Sequence, residues 1–324
     1  MILSLVLIVV GFALLIGGAN LLVDGASDLA SRLGLPDRVI GLTVVAIGTS
    51  LPELVVSIAS AFDGHSDMAV GNVVGSCMAN LLLILGLTAV ISPVGLSRRT
   101  QRFEIPVSVL AALALMLFAN LGGSLDLAEG AIMLVAFALF LSHTAVVGLR
   151  EGESGQEDSD PVESLEDEAT RSLAGNPVAD LVLIAVGIVL LKFGADFVVD
   201  NSVLVASGLG VSERLIGITV VALGTCLPEL VTSVVAAGKG NTDIAVGNVV
   251  GSNISNLLLV MGVPALIAPV AYDVAYNFDL VLLAACSVLL VGFCYVGRRH
   301  VMTRWQGLTF VMLYVVYIVA SALR

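Results

Sequence analysis

The stretch "AIGTSLPELV", residues 46–55, lies within a long apolar segment and carries a glutamate directly after a proline. Both residues are costly inside a membrane helix. An intramembrane carboxylate must face a partner or a water-filled path rather than lipid, and proline removes a backbone N–H donor. The chain repeats the stretch with two changes, as "ALGTCLPELV" at residues 222–231. A costly pair that occurs twice predicts a function for both copies.

The composition is that of a membrane protein. The chain has 324 residues, of which 58% are hydrophobic and 12% charged, and its mean hydropathy is +1.06. Soluble domains carry about 25% charged residues. Ten apolar segments are each long enough to cross a bilayer as a helix, whereas a membrane barrel would show shorter, alternating strands. They span approximately residues 2–23, 39–61, 68–91, 104–121, 127–149, 178–199, 215–237, 244–267, 278–297 and 305–323.

The net charge of −12 depends strongly on one connection, "EGESGQEDSDPVESLEDE" at 151–168, which contains nine of the 26 acidic residues. We interpret it as a solvated, disordered linker. The alternative is a cation-sensing loop, but the stretch lacks the glycine and the ligand spacing of a calcium loop. The four cysteines form no CxxC pair and lie in apolar segments, which predicts neither a disulfide framework nor a zinc site.

The two halves of the chain are copies of each other. Residues 39–94 align with 215–270 without a gap, at an offset of 176, with 34 identities in 56 positions. Each half holds five predicted spans, so the second copy must enter the membrane from the opposite side. If the N-terminus is outside, the inside connections carry eleven Arg and Lys residues and the outside ones two, as the positive-inside rule requires.

These observations predict an all-α membrane protein with ten transmembrane helices, arranged as two inverted-topology five-helix repeats. The first repeat is 1–149, the second is 177–324, and the acidic cytoplasmic linker is 150–176. Both termini are expected outside. Secondary transporters have this architecture, and they bind substrate near the bilayer midplane, where the repeats meet.

A polar stripe runs along the second predicted helix and its copy, at spacings of three and four residues. The stripe contains Ala46, Thr49, Ser50, Glu53 and Ser57 in the first half, and Ala222, Thr225, Cys226, Glu229 and Ser233 in the second. Pro52 and Pro228 leave the carbonyls of Gly48 and Gly224 without their helical donors. Unpaired carbonyl oxygens are good ligands for a hard cation. Each stripe therefore combines backbone, hydroxyl and carboxylate oxygens at one depth.

A second stripe follows on the next helix of each half, in "GNVVGSCMAN" (71–80) and "GNVVGSNISN" (247–256). Its glycines predict tight helix packing. We expect the faces that carry Ser76, Asn80, Ser252 and Asn256 to meet the glutamate helices and to ligate a cation. Oxygen donors of this kind select Ca²⁺, Mg²⁺ or Na⁺ over zinc or copper. Two glutamates supply about two negative charges, which matches one divalent ion or a few Na⁺, so the two cations would compete.

The motifs "GTSLPEL" with "GNVVGSCMAN", and "GTCLPEL" with "GNVVGSNISN", resemble the two repeats of prokaryotic Na⁺/Ca²⁺ exchangers in the cation/Ca²⁺ exchanger superfamily. The resemblance covers nearly the whole chain, and it implies a prokaryotic plasma (inner) membrane as the location. It implies Ca²⁺ ligation by Glu53 and Glu229 with the carbonyls of Thr49 and Thr225. It also implies Na⁺ sites that draw on the residues Ala46, Ser76, Ala222 and Ser252, with Ser50 in a supporting role and Asn80 and Asn256 at the middle.

Three positions depart from the family pattern. Cys226 replaces the usual serine, Cys77 replaces an asparagine beside the ligand stripe, and Asn256 stands where some relatives have aspartate. The cysteine at 226 exchanges a hard oxygen for a softer sulfur, which predicts weaker Na⁺ binding.

The sequence therefore predicts a Na⁺/Ca²⁺ antiporter with alternating access at a central two-glutamate site. H⁺/Ca²⁺ or other divalent cation exchange, with a titrating glutamate, is the first alternative. An intramembrane hydrolase with Glu53 and Glu229 as an acid dyad is the second, but serine and threonine surround both glutamates symmetrically and no Ser/Lys pair is present. We expect no enzyme activity and no cofactor. The expected partners are Ca²⁺, Na⁺ and the lipid bilayer, with no nucleic acid and no obligate protein.

Overall fold

The computed structural model describes residues 2–154, 176–209, 222–296 and 299–323. In that part of the chain, eight helices are long and apolar enough to cross a membrane, and a bent helix pair makes nine if it is one span. In chain order the helices are α1 (Ile2–Leu33), α2 (Asp37–Thr49, then Leu51–Phe62), α3 (Ser66–Ile91), α4 (Thr100–Gly122), α5 (Leu127–Ser154), α6 (Pro177–Gly208), α7 (Ala222–Gly224, then Leu227–Gly238), α8 (Thr242–Ile267), α9 (Tyr276–Phe293) and α10 (Arg304–Leu323). The mostly helical membrane protein is as predicted. The start of the predicted seventh span and the linker residues 155–175 lie outside the described residues, so the count of ten membrane-spanning helices stays a prediction.

Several helices are longer than the apolar segments that predicted them. α1 continues to Leu33 and α6 to Gly208, past the predicted ends at 23 and 199. Nothing stops α1 earlier, because its first helix-ending signals are Gly34, which has φ +63°, and Pro36. A hydropathy window detects the lipid-crossing part of a helix and not its polar extension. For the same reason α5 extends through Ser154 into the predicted linker.

Two short antiparallel ribbons join the helix connections, and the all-α prediction missed them. Strand β1 (Val94–Gly95) pairs with β4 (Val301–Met302), and β2 (Ser124–Leu125) pairs with β3 (Val270–Ala271). Strands of two residues are too short to show alternating hydrophobicity in a sequence. Adding 176 to the residue numbers of β1 gives those of β3, and adding 176 to those of β2 gives those of β4 to within one residue. The repeat offset therefore relates each strand of one ribbon to a strand of the other ribbon.

Helices α1 and α6 pack against each other through glycines. A Cβ on Gly11 would lie 2.9 Å from the carbonyl oxygen of Gly194, and one on Gly18 would lie 2.8 Å from that of Gly187. Residue numbers rise along α1 as they fall along α6, so the two helices are antiparallel. The repeat offset of 176 relates Gly11 to Gly187 and Gly18 to Gly194, so the two glycine contacts are equivalent.

The first piece of α2 packs directly on α8. A Cβ on Gly247 would lie 2.8 Å from the carbonyl oxygen of Arg38, and one on Gly251 would lie 2.7 Å from that of Leu42. This confirms the predicted close packing for these two glycines. It is not seen at the equivalent Gly75, where a Cβ would meet nothing within 4 Å among the described residues. The contact between α2 and α8 brings polar side chains of the two halves together.

Candidate functional site

Both glutamates lie in the first turn of a helix that begins directly after a break. The pieces of α2 meet at an angle of 44°, with Ser50 at φ −82° and ψ 3°. Cys226 has nearly the same conformation, φ −87° and ψ 2°, before the second piece of α7. The sequence predicted a kinked stripe on one helix, whereas the structure separates Thr49 from Glu53 onto two helices. A helix N-terminus favours negative charge, so the break places each carboxylate where the backbone partly stabilises it.

The two carboxylates are fully buried, with no exposed surface on Glu53 or Glu229. Ser76 Oγ donates to Glu53 Oε1 at 3.5 Å, and Ser50 Oγ donates to Glu229 Oε1 at 3.4 Å. The second of these bonds joins the two halves of the chain. Among the described residues neither glutamate takes part in an ion pair, and the other oxygen of each, Oε2, has no hydrogen-bond partner.

Two asparagines hold the backbone of the glutamates in the same way in both halves. Asn72 Nδ2 donates to the carbonyl oxygen of Glu53 at 3.2 Å and to Ser57 Oγ at 3.1 Å. Asn248 Nδ2 donates to the carbonyl oxygen of Glu229 at 3.3 Å and to a serine, Ser233 Oγ, at 3.0 Å. Both asparagines lie in the motifs of the second stripe, at 71–80 and 247–256, but the sequence predicted no role for them in the site. Their i, i+4 spacing from Ser76 and Ser252 was the signal that connected them to it.

The predicted central amides lie at local widenings of their helices. A π-helical segment, Ala79–Ile84, includes Asn80, and another, Asn256–Val260, starts at Asn256. Such single-turn segments are rare and occur frequently at functional sites. Both asparagines are fully buried, and neither their amide oxygen nor their amide nitrogen has a hydrogen-bond partner among the described residues. No residue pattern in either segment indicated the extra backbone residue.

The two threonines of the repeats have different surroundings. Thr49 is buried; its Oγ1 donates to Asn248 Oδ1 at 3.0 Å and lies 3.5 Å from Ser252 Oγ. Ser252 Oγ also approaches the carbonyl oxygen of Ala46, at 3.5 Å. Thr225 is partly exposed, and its hydroxyl lies 3.9 Å from the sulfur of Cys226. The sequence predicted equivalent roles for the two threonines and gave no sign of this difference.

The remaining predicted residues complete the arrangement. The thiol of Cys226 donates to Ser76 Oγ at 3.3 Å, so it reaches Glu53 through that hydroxyl. Cys77 is buried and its thiol approaches the carbonyl oxygen of Asn253 at 3.8 Å. Ala222 begins α7, but its side chain is outside the described part of the structure.

The chemistry of the site follows from its unsatisfied atoms. Buried polar groups in folded proteins nearly always have partners, because an unpaired one costs about 1–3 kcal/mol. Here four buried side chains, Glu53, Glu229, Asn80 and Asn256, retain polar atoms without a protein partner in the described residues. Carboxylate and hydroxyl oxygens of the two halves meet where Ser50 contacts Glu229 and where Thr49 contacts Ser252. Together with amide oxygens, these are the donor types that hard cations prefer.

Comparison with known proteins decides the family. The model of the sodium/calcium exchanger protein family matches residues 3–146 and 179–323. The chain belongs to the sodium/calcium exchanger family. It is 38% identical to the inner membrane protein YrbG of Escherichia coli strain K12, over 91% of this chain and 90% of that protein. It is 31% identical to the sodium/calcium exchanger MaX1 of Methanosarcina acetivorans, over 98% of this chain and 97% of the relative.

A solved structure supports the same family assignment. The sodium-calcium exchanger NCX_Mj, soaked with 2.5 mM Na⁺ and 0.1 mM Ca²⁺, superimposes with a TM-score of 0.82 at 30% identity, covering 98% of both chains. The predicted superfamily is therefore confirmed. The chain is an integral membrane cation exchanger and not an enzyme, which rules out the hydrolase alternative.

Proposed function

We propose that this exchanger is a secondary active antiporter that moves Ca²⁺ in one direction and Na⁺ in the other through a single site between Glu53 and Glu229. The observation that carries the proposal is the pair of fully buried glutamates at two equivalent helix breaks, each with one carboxylate oxygen unpaired in the described residues. Two buried negative charges without a salt-bridge partner are strongly unfavourable in a low-dielectric interior. Bound cations would remove that cost.

The ligands divide between the two ions. Ca²⁺ would bind Glu53 and Glu229 together with the carbonyl oxygens of Thr49 and Thr225. Na⁺ would use one cluster formed by Ala46 and Ser252 and a corresponding cluster formed by Ala222 and Ser76, and each cluster would draw on both halves of the chain. Ser50 would support the site through its hydrogen bond to Glu229. Asn80 and Asn256 would lie between these positions and offer neutral amide oxygens. Ser252 Oγ donates to the carbonyl oxygen of Ala46 at 3.5 Å, and this contact supports the first Na⁺ cluster.

Alternating access would come from ten helices in two repeats of opposite orientation, 1–149 and 177–324, joined by a cytoplasmic linker at 150–176. Two pseudo-symmetric features support this topology. The glycine pairs of α1 and α6 exchange under the offset of 176, and so do the two ribbons. With both termini outside, the close contact of α2 with Gly247 and Gly251 would seal the cytoplasmic path in this conformation.

Coupling follows from charge. A site that holds two buried carboxylates and no cation would have to carry a net charge of about −2 through the occluded state, which is costly in a low-dielectric core. One Ca²⁺, or a few Na⁺, neutralises it. The loaded forms therefore change orientation and the ion-free form does not, which makes the exchange obligatory.

The test is radioactive Ca²⁺ uptake into proteoliposomes loaded with Na⁺, in proton-tight vesicles. We expect uptake when Na⁺ is inside and not outside, and no uptake when a proton gradient replaces the Na⁺ gradient. Uptake driven by the proton gradient alone would favour the H⁺/Ca²⁺ alternative. Absence of uptake in both arms, with the protein folded and inserted, would contradict Ca²⁺ exchange at this site.

A further inference from the structure

A basic cavity of about 340 Å³ lies where the connection between α3 and α4 meets the connection between α9 and α10. It is lined by Arg98, Arg102, Tyr295, Arg299 and His300. Arg98 and Arg102 belong to the first half of the chain, and the other three residues belong to the second. In the proposed topology both connections lie on the cytoplasmic side.

The arginines of this cavity differ from neighbouring arginines in their ion pairing. Arg38 and Arg99 are neutralised by acids: Arg38 lies 3.2 Å from Glu104 and 2.8 Å from Glu151, and Arg99 lies 3.3 Å from Glu151. In contrast, none of the three cavity arginines makes an ion pair with a carboxylate of the described residues, and all three are exposed. Three guanidinium groups therefore line one cavity without a carboxylate partner among the described residues.

The wall formed by His300 is held rigidly. His300 has φ +62°, the only positive φ among non-glycine residues in the described part of the chain. Its backbone N–H donates to the carbonyl oxygen of Cys294 at 2.9 Å, and its carbonyl oxygen accepts from the N–H of Leu96 at 2.7 Å. Left-handed conformations of non-glycine residues are uncommon, and they persist where surrounding contacts fix them, often at functional sites.

The His300 ring is oriented as well. The buried Gln101 donates from Nε2 to Nδ1 of His300 at 2.8 Å and to the carbonyl oxygen of Leu96 at 2.7 Å. When Nδ1 of a neutral imidazole accepts, the ring proton lies on Nε2 and can be donated. The cavity thus combines three positive groups with an imidazole whose orientation is fixed by hydrogen bonds.

We propose that this cavity binds the phosphate headgroup of an anionic phospholipid from the cytoplasmic leaflet. The planar guanidinium group matches phosphate oxygens with two parallel hydrogen bonds. Basic pockets between membrane helices on the cytoplasmic side bind anionic headgroups. Tyr295, 62% exposed beside the arginines, supplies the amphipathic ring that favours the membrane interface. The headgroup would connect Arg102 of the first half with Arg299 of the second.

The experiment measures binding of short-chain phosphatidylglycerol to the purified exchanger in a neutral detergent, by isothermal titration. Short-chain phosphatidylcholine and inorganic phosphate are the comparison ligands. The test variant is Arg102→Gln/Arg299→Gln. The matched control is Arg150→Gln/Arg304→Gln, which removes two exposed arginines of the same predicted side that do not line the cavity.

We expect phosphatidylglycerol to bind the wild type in preference to phosphatidylcholine and to inorganic phosphate. The cavity variant should bind it about thirtyfold more weakly, since each arginine near an anionic headgroup contributes about 1 kcal/mol and 1.4 kcal/mol is tenfold. The affinity of the control variant should change by less than about threefold. Arg102→Lys/Arg299→Lys should recover part of the lost affinity, because lysine restores the positive charge but not the two parallel hydrogen bonds of a guanidinium group.

Equal losses in the two double variants, or no headgroup preference in the wild type, would overturn the proposal. Inorganic phosphate that binds as tightly as the lipid would make this a soluble-anion site and would overturn the assignment to lipid. The wild-type comparison requires no substitution, so it stands even if a variant fails to fold. The experiment involves no ion flux, and its outcome is therefore independent of the proposed exchange.

Discussion

Neutralising one central glutamate is the sharpest perturbation of the proposed site. Glu53→Gln keeps the shape of the side chain and halves the charge available to a divalent ion. Removing one charge from a buried, charge-paired site costs about 2–5 kcal/mol, which corresponds to a loss of affinity of about 30-fold to 4,000-fold at 1.4 kcal/mol per tenfold. We therefore expect Na⁺-driven Ca²⁺ uptake to be abolished. Glu229→Gln should have the same effect, because its carboxylate is equally buried.

Thermal unfolding provides a second readout of the same substitution. Glu53→Gln should lose transport but gain thermal stability in the absence of ions. Glu53 Oε2 is buried and unpaired among the described residues, so neutralising the side chain removes a desolvation cost in the absence of ions. The variant should melt higher than the wild type without Ca²⁺, by a few degrees at most, since 1 kcal/mol corresponds to about 2–4 °C in proteins of about 150–250 residues and to less in a longer chain. Adding Ca²⁺ should raise the melting temperature of the wild type and leave that of the variant unchanged.

The control is Asp63→Asn, which makes the same chemical change at an exposed carboxylate just after the C-terminal end of the same helix. This control should transport Ca²⁺ and respond to it in melting like the wild type. Near-normal Ca²⁺ uptake by Glu53→Gln or Glu229→Gln, in protein that elutes and melts as a folded species, would refute the shared two-glutamate site.

Three further predictions follow from individual contacts. Cys226→Ser should preserve or strengthen the Na⁺ dependence of Ca²⁺ uptake, because an oxygen suits Na⁺ better than sulfur; loss of Na⁺-driven uptake would show a separate role for the thiol. Uptake should be independent of external K⁺, since Asn80 and Asn256 add no charge to the site; a several-fold drop on replacing K⁺ with choline at a clamped membrane potential would contradict this. Gly187→Ala should lower the melting temperature, because its Cβ would lie 2.8 Å from the Gly18 carbonyl oxygen, whereas a Cβ on Gly17 would meet nothing within 4 Å in the described part of the chain and Gly17→Ala should be neutral; equal effects of the two would contradict the packing described for α1 and α6.

The sequence predicted the features that depend on chemical cost. A proline and a glutamate in an apolar segment require a break and a buried polar cluster, and the structure has both, at Ser50 and at Cys226. Duplication allowed each feature to be checked against its copy. Membership of the exchanger family could also be predicted, because the motifs that identify it contain the costly residues themselves.

Other features depend on long-range packing, which a single sequence does not display. The π-helical turns at Asn80 and Asn256 arise from how α3 and α8 fit their neighbours, and their residues are ordinary helix formers. The unequal surroundings of Thr49 and Thr225 reflect one conformation of the two repeats, and identical motifs cannot encode the difference. The buried pair of Arg38 and Glu104 joins residues far apart in the chain, and the sequence showed only two isolated charges near predicted span ends.

The measurement that tests the central claim most directly is Ca²⁺ binding to the purified exchanger by equilibrium dialysis, with Na⁺ increased stepwise at constant ionic strength. If both cations use the charges of Glu53 and Glu229, one Ca²⁺ should bind per chain, and Na⁺ should displace it completely, with a slope above one on a logarithmic plot. Saturating Na⁺ that leaves Ca²⁺ bound would place the two ions at separate sites and would contradict exchange through a shared one.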